Sequence, residues 1–313
     1  MQHQKKKIIF WGTPNFAAFI LEKLISQGYC PQALITTSDK PVGKEKFLNS
    51  PATKKIAQKY NLPVWQFDNL KNESVLKTLV DLKPDIFIIA AYGLIIPQEI
   101  LKIPVQGCLN VHPSLLPRYR GASPIQAAIL NNDKKTGTTI MLMDEKVDHG
   151  PIISQKKLKI KPGETTPSLT KKLALLSADL LIKILPLWLE NKIKTRPQKH
   201  KKATFTRQIK KIHGQIFWYK PAQQIIQMWR AYQPWPGIYT FFKGKMLKII
   251  DLEILKIKHS FVPGQVFLTP DKNLAVACSK NAIILKKVHL EGKNPVKGID
   301  FFNGHREIIK QIL

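Results

Sequence analysis

The chain has 313 residues, 44% of them apolar, which is too long for one average domain and enough to bury the cores of two. Its 50 Lys and Arg against 21 Asp and Glu give a formal charge of +29, so a polyanion is the first partner to consider, although a general lysine bias explains the same excess. Three cysteines, Cys30, Cys108 and Cys278, stand far apart and in no paired spacing, which argues against a disulfide framework or a zinc site and fits a reducing compartment.

The opening M-Q-H-Q-K-K-K-I-I-F-W-G-T-P has a basic head, but Gly12 and Pro14 break its apolar run before a signal-peptide core is complete. The longest apolar stretch, 86–97, is interrupted by Tyr92 and Gly93 and falls short of a membrane span. A soluble cytoplasmic protein is expected.

From residue 7 to about 191, β-branched runs at 8–11, 33–37, 85–91, 108–111 and 138–143 predict strands. Segments of helical period at 17–27, 73–82, 124–131 and 168–190 alternate with or follow them. That rhythm predicts βαβ units: a Rossmann-like, mostly parallel sheet with helices on both faces. Ligands of such sheets bind outside the carboxyl ends of the strands, which directs attention to the loops after Trp11, Thr37, Ala91, Val111 and Met143.

Residues 192–211, K-I-K-T-R-P-Q-K-H-K-K-A-T-F-T-R-Q-I-K-K, are basic and lack a sustained apolar period, so they read as a linker between a first domain at 1–191 and a second at 212–313. In the second, a helical stretch at 221–231 precedes short strands at 238–242, 247–255, 264–268, 274–278 and 283–288. Turn residues Lys243-Gly244, Pro263-Gly264 and Pro270-Asp271 punctuate them, predicting a small OB-like β-barrel.

The segment G-C-L-N-V-H-P-S-L-L-P-R-Y-R-G-A-S-P-I-Q-A, 107–127, carries the clearest chemistry. Asn110 and His112 stand two apart at the end of a predicted strand and therefore share a face. A carboxamide donates to an oxyanion forming on a carbonyl, and an imidazole exchanges protons near neutrality, so the pair suits acyl transfer. By itself, Asn-x-His describes a satisfied core histidine better than a catalytic pair. In M-L-M-D-E-K-V-D-H-G-P-I-I-S-Q, 141–155, Asp144, Glu145 and Asp148 precede the turn at Gly150-Pro151; any one of them is placed to orient His112, and all three suit an ordinary turn. Gly12-Thr13-Pro14 lacks the G-x-G-x-x-G fingerprint, which argues against a bound dinucleotide.

Asn110-Val111-His112-Pro113-Ser114-Leu115-Leu116-Pro117, with R-Y-R-G-A-S-P-I-Q after it, resembles the signature of the folate-dependent formyltransferases, and V-D-H-G resembles their later aspartate loop. The resemblance implies a catalytic trio of Asn110, His112 and Asp148, with 10-formyltetrahydrofolate as formyl donor and no metal. It also implies a folate site lined by Ser114, Leu115, Leu116 and Pro117, with the backbone near Ile89, Ala91 and Tyr92 against the pterin.

Within that family, S-D-K-P-V-G-K-E-K-F-L-N-S-P, 38–51, is similar to the insertion by which the branch acting on methionyl initiator tRNA grips the acceptor arm. This implies tRNA contacts at Lys40, Lys44 and Lys46. Lys44 replaces the usual arginine and Glu45 a small residue, which favours point-charge contacts over bidentate ones. R-A-Y-Q-P-W-P-G-I-Y-T, 230–240, resembles the second domain of the same branch, where Lys243, Lys245 and Lys248 are expected to follow a phosphate backbone and core packing is the expected role of Trp229, Tyr232 and Trp235. A monomer is expected on the same resemblance. Amino-sugar nucleotide formyltransferases share the catalytic domain, and a basic RNA-binding protein with a decayed site is the reading from another class.

Overall fold

In the computed structural model, which describes residues 6–42, 47–309 and 311–313, the chain divides into two compact units. One comprises residues 1–124, 134–160 and 168–207, and the other 125–133, 161–167 and 208–313.

In chain order the elements up to the first signature are β1 (Ile8–Gly12), α1 (Asn15–Ser26), β2 (Ala33–Thr36), a hairpin of β3 (Lys40–Val42) and β4 (Phe47–Asn49), α2 (Ala52–Lys59), β5 (Val64–Gln66), α3 (Glu73–Asp81), β6 (Ile86–Ala90), α4 (Gln98–Leu101) and β7 (Cys108–His112). There follow β8 (Arg120–Gly121), α5 (Pro124–Leu130), β9 (Lys135–Leu142), β10 (Ile152–Lys159), α6 (Thr166–Leu189) and β11 (Phe205–Thr206). The main sheet has the order β10-β9-β7-β6-β1-β2-β5. β1 and β6 are buried at every position because both faces are covered. Ile9, Trp11, Phe87 and Ile89 pack with Val75 and Leu79 of α3. Ile8, Phe10, Ile86 and Ile88 point the other way by alternation and are equally buried.

The strands from β7 to the edge strand β5 are parallel, four of them predicted from the sequence. β9 is not: it runs antiparallel to β7, pairing Leu142 with Leu109 and Thr139 with His112. The loop after Met143, expected at the carboxyl ends of the strands, therefore leaves beside the start of β7. It returns into β10, which pairs antiparallel with β9. The turn back is tight, since a Cβ on Gly150 would lie 2.0 Å from the Leu142 carbonyl oxygen. β5 and β10 escape the sequence reading because V-W-Q is short and I-I-S-Q-K-K-L-K is lysine-rich.

The basic stretch after α6, expected as a linker, is folded into the first unit as far as Arg207. Arg196 and Ile152 exchange two backbone hydrogen bonds of 2.8 Å, and β11 pairs in parallel with β8. Its residues lack an apolar period because hydrogen bonds, rather than buried area, hold them.

In the second unit α7 (Ala222–Ala231) precedes β12 (Ile238–Phe242), β13 (Lys245–Leu255), β14 (Val266–Leu268), β15 (Leu274–Ala277), β16 (Ala282–Leu290), β17 (Val296–Lys297) and α8 (Gly298–Gly304). The sheet order is β12-β13-β16-β15-β14, with β17 on β16, and every pairing is antiparallel. Register shifts on β13 around Asp251 add twist, curling the sheet into a half-barrel. Among the described residues no helix is long and apolar enough to cross a membrane.

Gly12 shows why the first strand ends in glycine. A Cβ there would lie 2.5 Å from the Ala17 Cβ of α1 and 2.8 Å from the Ala90 carbonyl oxygen of β6. Gly12→Ala is expected to destabilise the protein by about 1–3 kcal/mol through overpacking. Urea denaturation checks this, and an unchanged midpoint would contradict the close approach.

Candidate active site

The alternation of β7 brings Asn110 and His112 out on one face, His112 buried and Asn110 half-buried. The returning loop delivers Asp148 to them. Asn110 Nδ2 donates to Asp148 Oδ1 at 3.0 Å, and His112 Nδ1 lies 3.4 Å from the same oxygen. The backbone N–H of Gly121 donates to Asp148 Oδ2 at 2.7 Å. Asp148 adopts a left-handed backbone with φ of 49°. For a residue with a Cβ this costs about 1–2 kcal/mol, which the surrounding bonds must offset.

These contacts fix the donors. His112 Nε2 lies 2.9 Å from the Tyr119 carbonyl oxygen, which can only accept, so Nε2 carries a proton and Nδ1 is the nitrogen left for exchange. An ionised Asp148 likewise accepts, which sets the Asn110 amide and leaves its second N–H for another acceptor. Of the three acids in the loop, Asp148 reaches β7. Asp144 instead pairs with His149 Nδ1 at 2.6 Å and accepts from the Lys146 N–H, while Glu145 is exposed.

A second wall, not read from the sequence, comes from residues 196–206. Gln198 Nε2 donates to the carbonyls of Asp148 (2.9 Å) and Gly150 (2.8 Å). Its Oε1 accepts from Arg120 Nε (3.2 Å) and Nη2 (2.7 Å). Thr204 Oγ1 accepts from Tyr119 N–H at 2.8 Å, and Thr206 Oγ1 from Ser123 N–H at 3.0 Å. The alternation in Thr204-Phe205-Thr206 is the one faint signal of a strand there. Gly121, at φ 101°, has no room for a Cβ, which would lie 2.4 Å from the Thr206 carbonyl oxygen.

The residues expected at folate divide. Ser114 is fully buried and donates to the Arg118 carbonyl at 2.6 Å. Leu116 packs with Met141 and Ile152, while its N–H and carbonyl bond Thr139 and Gln155. Leu115 and Pro117 keep partly exposed side chains. Ile89 lies in the core, and Tyr92 meets Trp11 edge-on with a hydroxyl that is buried without a partner. Burial, with the Asp68 charge, pushes the Tyr92 pKa up to about 12. Ala91 is exposed at φ 47°. Leu94, Ile95 and Val147 are exposed apolar side chains of the same two loops. A pocket of ≈ 300 Å³ lies between α4 and the returning loop, lined by Gln98, Leu101, Met143, Asp144 and His149 among others. Apolar side chains, a backbone turned outward and carboxylate acceptors make a lining that fits a flat heterocycle bearing amide-like edges.

Of the lysines expected at tRNA, Lys40 is exposed on β3, and Lys44 and Lys46 lie outside the described residues. Lys243 pairs with Glu307 at 2.9 Å, whereas Lys245 and Lys248 are exposed on β13. Tyr232 is buried, Trp229 donates to the Ile250 carbonyl at 3.0 Å and Trp235 is exposed.

Residues 5–185 match the formyl transferase family and residues 208–306 the formyl transferase C-terminal domain. A methionyl-tRNA formyltransferase of Caldicellulosiruptor saccharolyticus is 42% identical over 303 residues, 96% of this chain and 97% of that one. Another, from Roseiflexus castenholzii, is 39% identical over 301 residues, 96% of each chain.

The chain belongs to the methionyl-tRNA formyltransferase family.

The fold extends further: HypX from Aquifex aeolicus, solved in complex with tetrahydrofolic acid, superposes with a TM-score of 0.65 at 14% identity. The match covers 98% of this chain and 49% of HypX, about half of that protein.

One edge of the site in this family member titrates. His200 stacks on His149 with centroids 4.2 Å apart, and its Nδ1 lies 2.8 Å from Arg120 Nη2. Arginine can only donate, so Nδ1 is unprotonated in this bond. Desolvation lowers the His200 pKa first, with the His149 and Arg120 charges adding to it and Asp144 opposing. A lowered folded pKa means the folded protein prefers neutral His200. The stability it contributes is present above the ordinary histidine pKa of about 6.5 and is lost as pH falls through the lower folded value. Melting temperature is therefore expected to drop below about pH 6.5 in the wild type and to drop less in His200→Gln. Parallel pH profiles for the two proteins would remove His200 as the cause.

Proposed function

We infer that this formyltransferase moves the formyl group of 10-formyltetrahydrofolate onto the α-amino group of methionine carried by initiator tRNA. Kinship along the whole chain supports the substrates, and the observation that carries the chemistry is one carboxylate shared by Asn110 and His112.

The folate supplies a formyl carbon on a nitrogen that can leave. In this reading the amide N–H that Asn110 does not give to Asp148 donates to the formyl oxygen as it gains charge. His112 works through Nδ1, because Tyr119 holds Nε2. The incoming amine forms the new C–N bond, the bond to the folate nitrogen breaks, and the amine proton ends on that nitrogen. His112 Nδ1 and Asp148 Oδ1 form the relay for this transfer. Asp148 also keeps the Asn110 amide and the His112 ring in register, so that little reorganisation is needed as charge develops.

The returning loop and the loop at Ala91 are the proposed folate walls, with Leu115 and Pro117 rather than Ser114 and Leu116 offering side chains. Lys40, Lys245 and Lys248 are proposed phosphate contacts on the ground of exposure and charge, and Lys44 and Lys46 on sequence. A monomer is proposed on family resemblance, and substrates belonging to translation support the cytoplasm.

The deciding experiment measures formyl transfer to charged initiator tRNA, beside uncharged tRNA and an amino-sugar nucleotide, at low and high salt. Formylation of the charged tRNA alone, weakening with salt, is expected. Turnover with the sugar nucleotide only would overturn the acceptor. In single-turnover assays Asn110→Ala is expected to be slower by ~10² to 10³. A rate within a few-fold of wild type would remove its role at the oxyanion.

A further inference from the structure

We propose that Gln198, locked by Arg120, is a positioning residue for formyl transfer that acts through the backbone of Asp148. The inference rests on the reading of Asp148 given above.

Asp148 holds a left-handed φ of 49°. Its carboxylate is held by Asn110 and Gly121, but those bonds grip only the end of the side chain. The backbone from which the side chain springs is held by Gln198, whose single amide nitrogen bonds the carbonyls of both Asp148 and Gly150. Two carbonyls clamped by one nitrogen fix the peptide plane between Asp148 and His149 and that between Gly150 and Pro151. That sets the direction in which the Asp148 Cβ leaves the chain. A small rotation there would pull Oδ1 from Asn110 and His112, and misplacement by about 1 Å costs on the order of a hundredfold in rate.

Gln198 can grip only if its amide faces the right way. Arg120 settles that, since a guanidinium donates and never accepts, so Oε1 must face Arg120 and the NH2 must face the loop. Both side chains are buried, Arg120 4% and Gln198 5% exposed, so water is a poor substitute for either partner. Thr204 and Thr206 tie the Arg120 strand to the segment that carries Gln198. The clamp touches none of the groups assigned to the reacting atoms, which separates it from the catalytic trio.

The test is a mutant cycle in formyl transfer with folate and tRNA each varied up to saturation. Gln198→Ala is expected to lower the rate about ten- to a hundredfold with KM for either substrate little changed. In an Asp148→Ala background the same substitution is expected to cost less than a factor of about two, because its effect passes through Asp148. Gln198→Glu keeps the size and the Arg120 contact but loses both donors. It is expected to melt below the wild type, because two carbonyls lose their donor, yet to stay folded through its ion pair with Arg120 and to be as slow as Gln198→Ala, which keeps the test open should the alanine variant fold poorly. Wild-type rates in Gln198→Glu, or equal losses in both backgrounds, overturn the proposal. Wild-type turnover on charged initiator tRNA is read first. Its absence counts against the proposed acceptor, and the cycle is then run on the amine the wild type does formylate; no turnover with any acceptor overturns both readings.

Discussion

The carboxylate of Asp148 is bound by the Asn110 amide, faced by the His112 ring and bound again by the Gly121 N–H. Those partners come from a parallel strand and from the turn that follows it, while Asp148 itself arrives on a loop from an antiparallel strand. A charged group so little exposed must be paired on every side or it becomes a liability. The site is therefore organised around keeping one anion satisfied, and the left-handed backbone at that anion is the strain accepted for doing so.

The reversal of β9 makes the arrangement possible. Had the strand run parallel to β7, its following loop would have left at the same end and crowded the face above Asn110 and His112. Running antiparallel, it starts the loop at the far end and lets the chain climb back along β7. Gly150 allows the return, because its missing side chain lets the backbone lie against Leu142.

What was legible in the sequence follows from how each part is held. Ile8 to Gly12 and Ile86 to Ala90 are buried on both faces, so their apolar runs read as strands without ambiguity. Asn110 and His112 were legible as neighbours because period two is a local property. Asp148 was legible only through resemblance, since the loop offered three acids and spacing does not choose among them. The partner that ties up Nε2 of His112 is a backbone carbonyl, which has no letter in the sequence. Gln198 was missed for a different reason: it stands 78 residues from its partner Arg120, in text that is polar and basic, the composition of a linker. The direction of β9 was hidden because a strand's letters carry its faces but not its sense.

The docking of residues 196–206 against the turn at Tyr119 to Ser123 also gives the site a place in time. The chain is made from its amino end, and the segment that braces Asp148 is encoded after the long helix α6. While residues 1–191 have emerged from a ribosome, Asn110, His112 and Asp148 are all present, yet the loop bearing Asp148 lacks its clamp. The parts of the candidate site are thus made early and locked late, and a fragment cut at the end of α6 holds all three of its central residues without the brace on the loop that carries one of them.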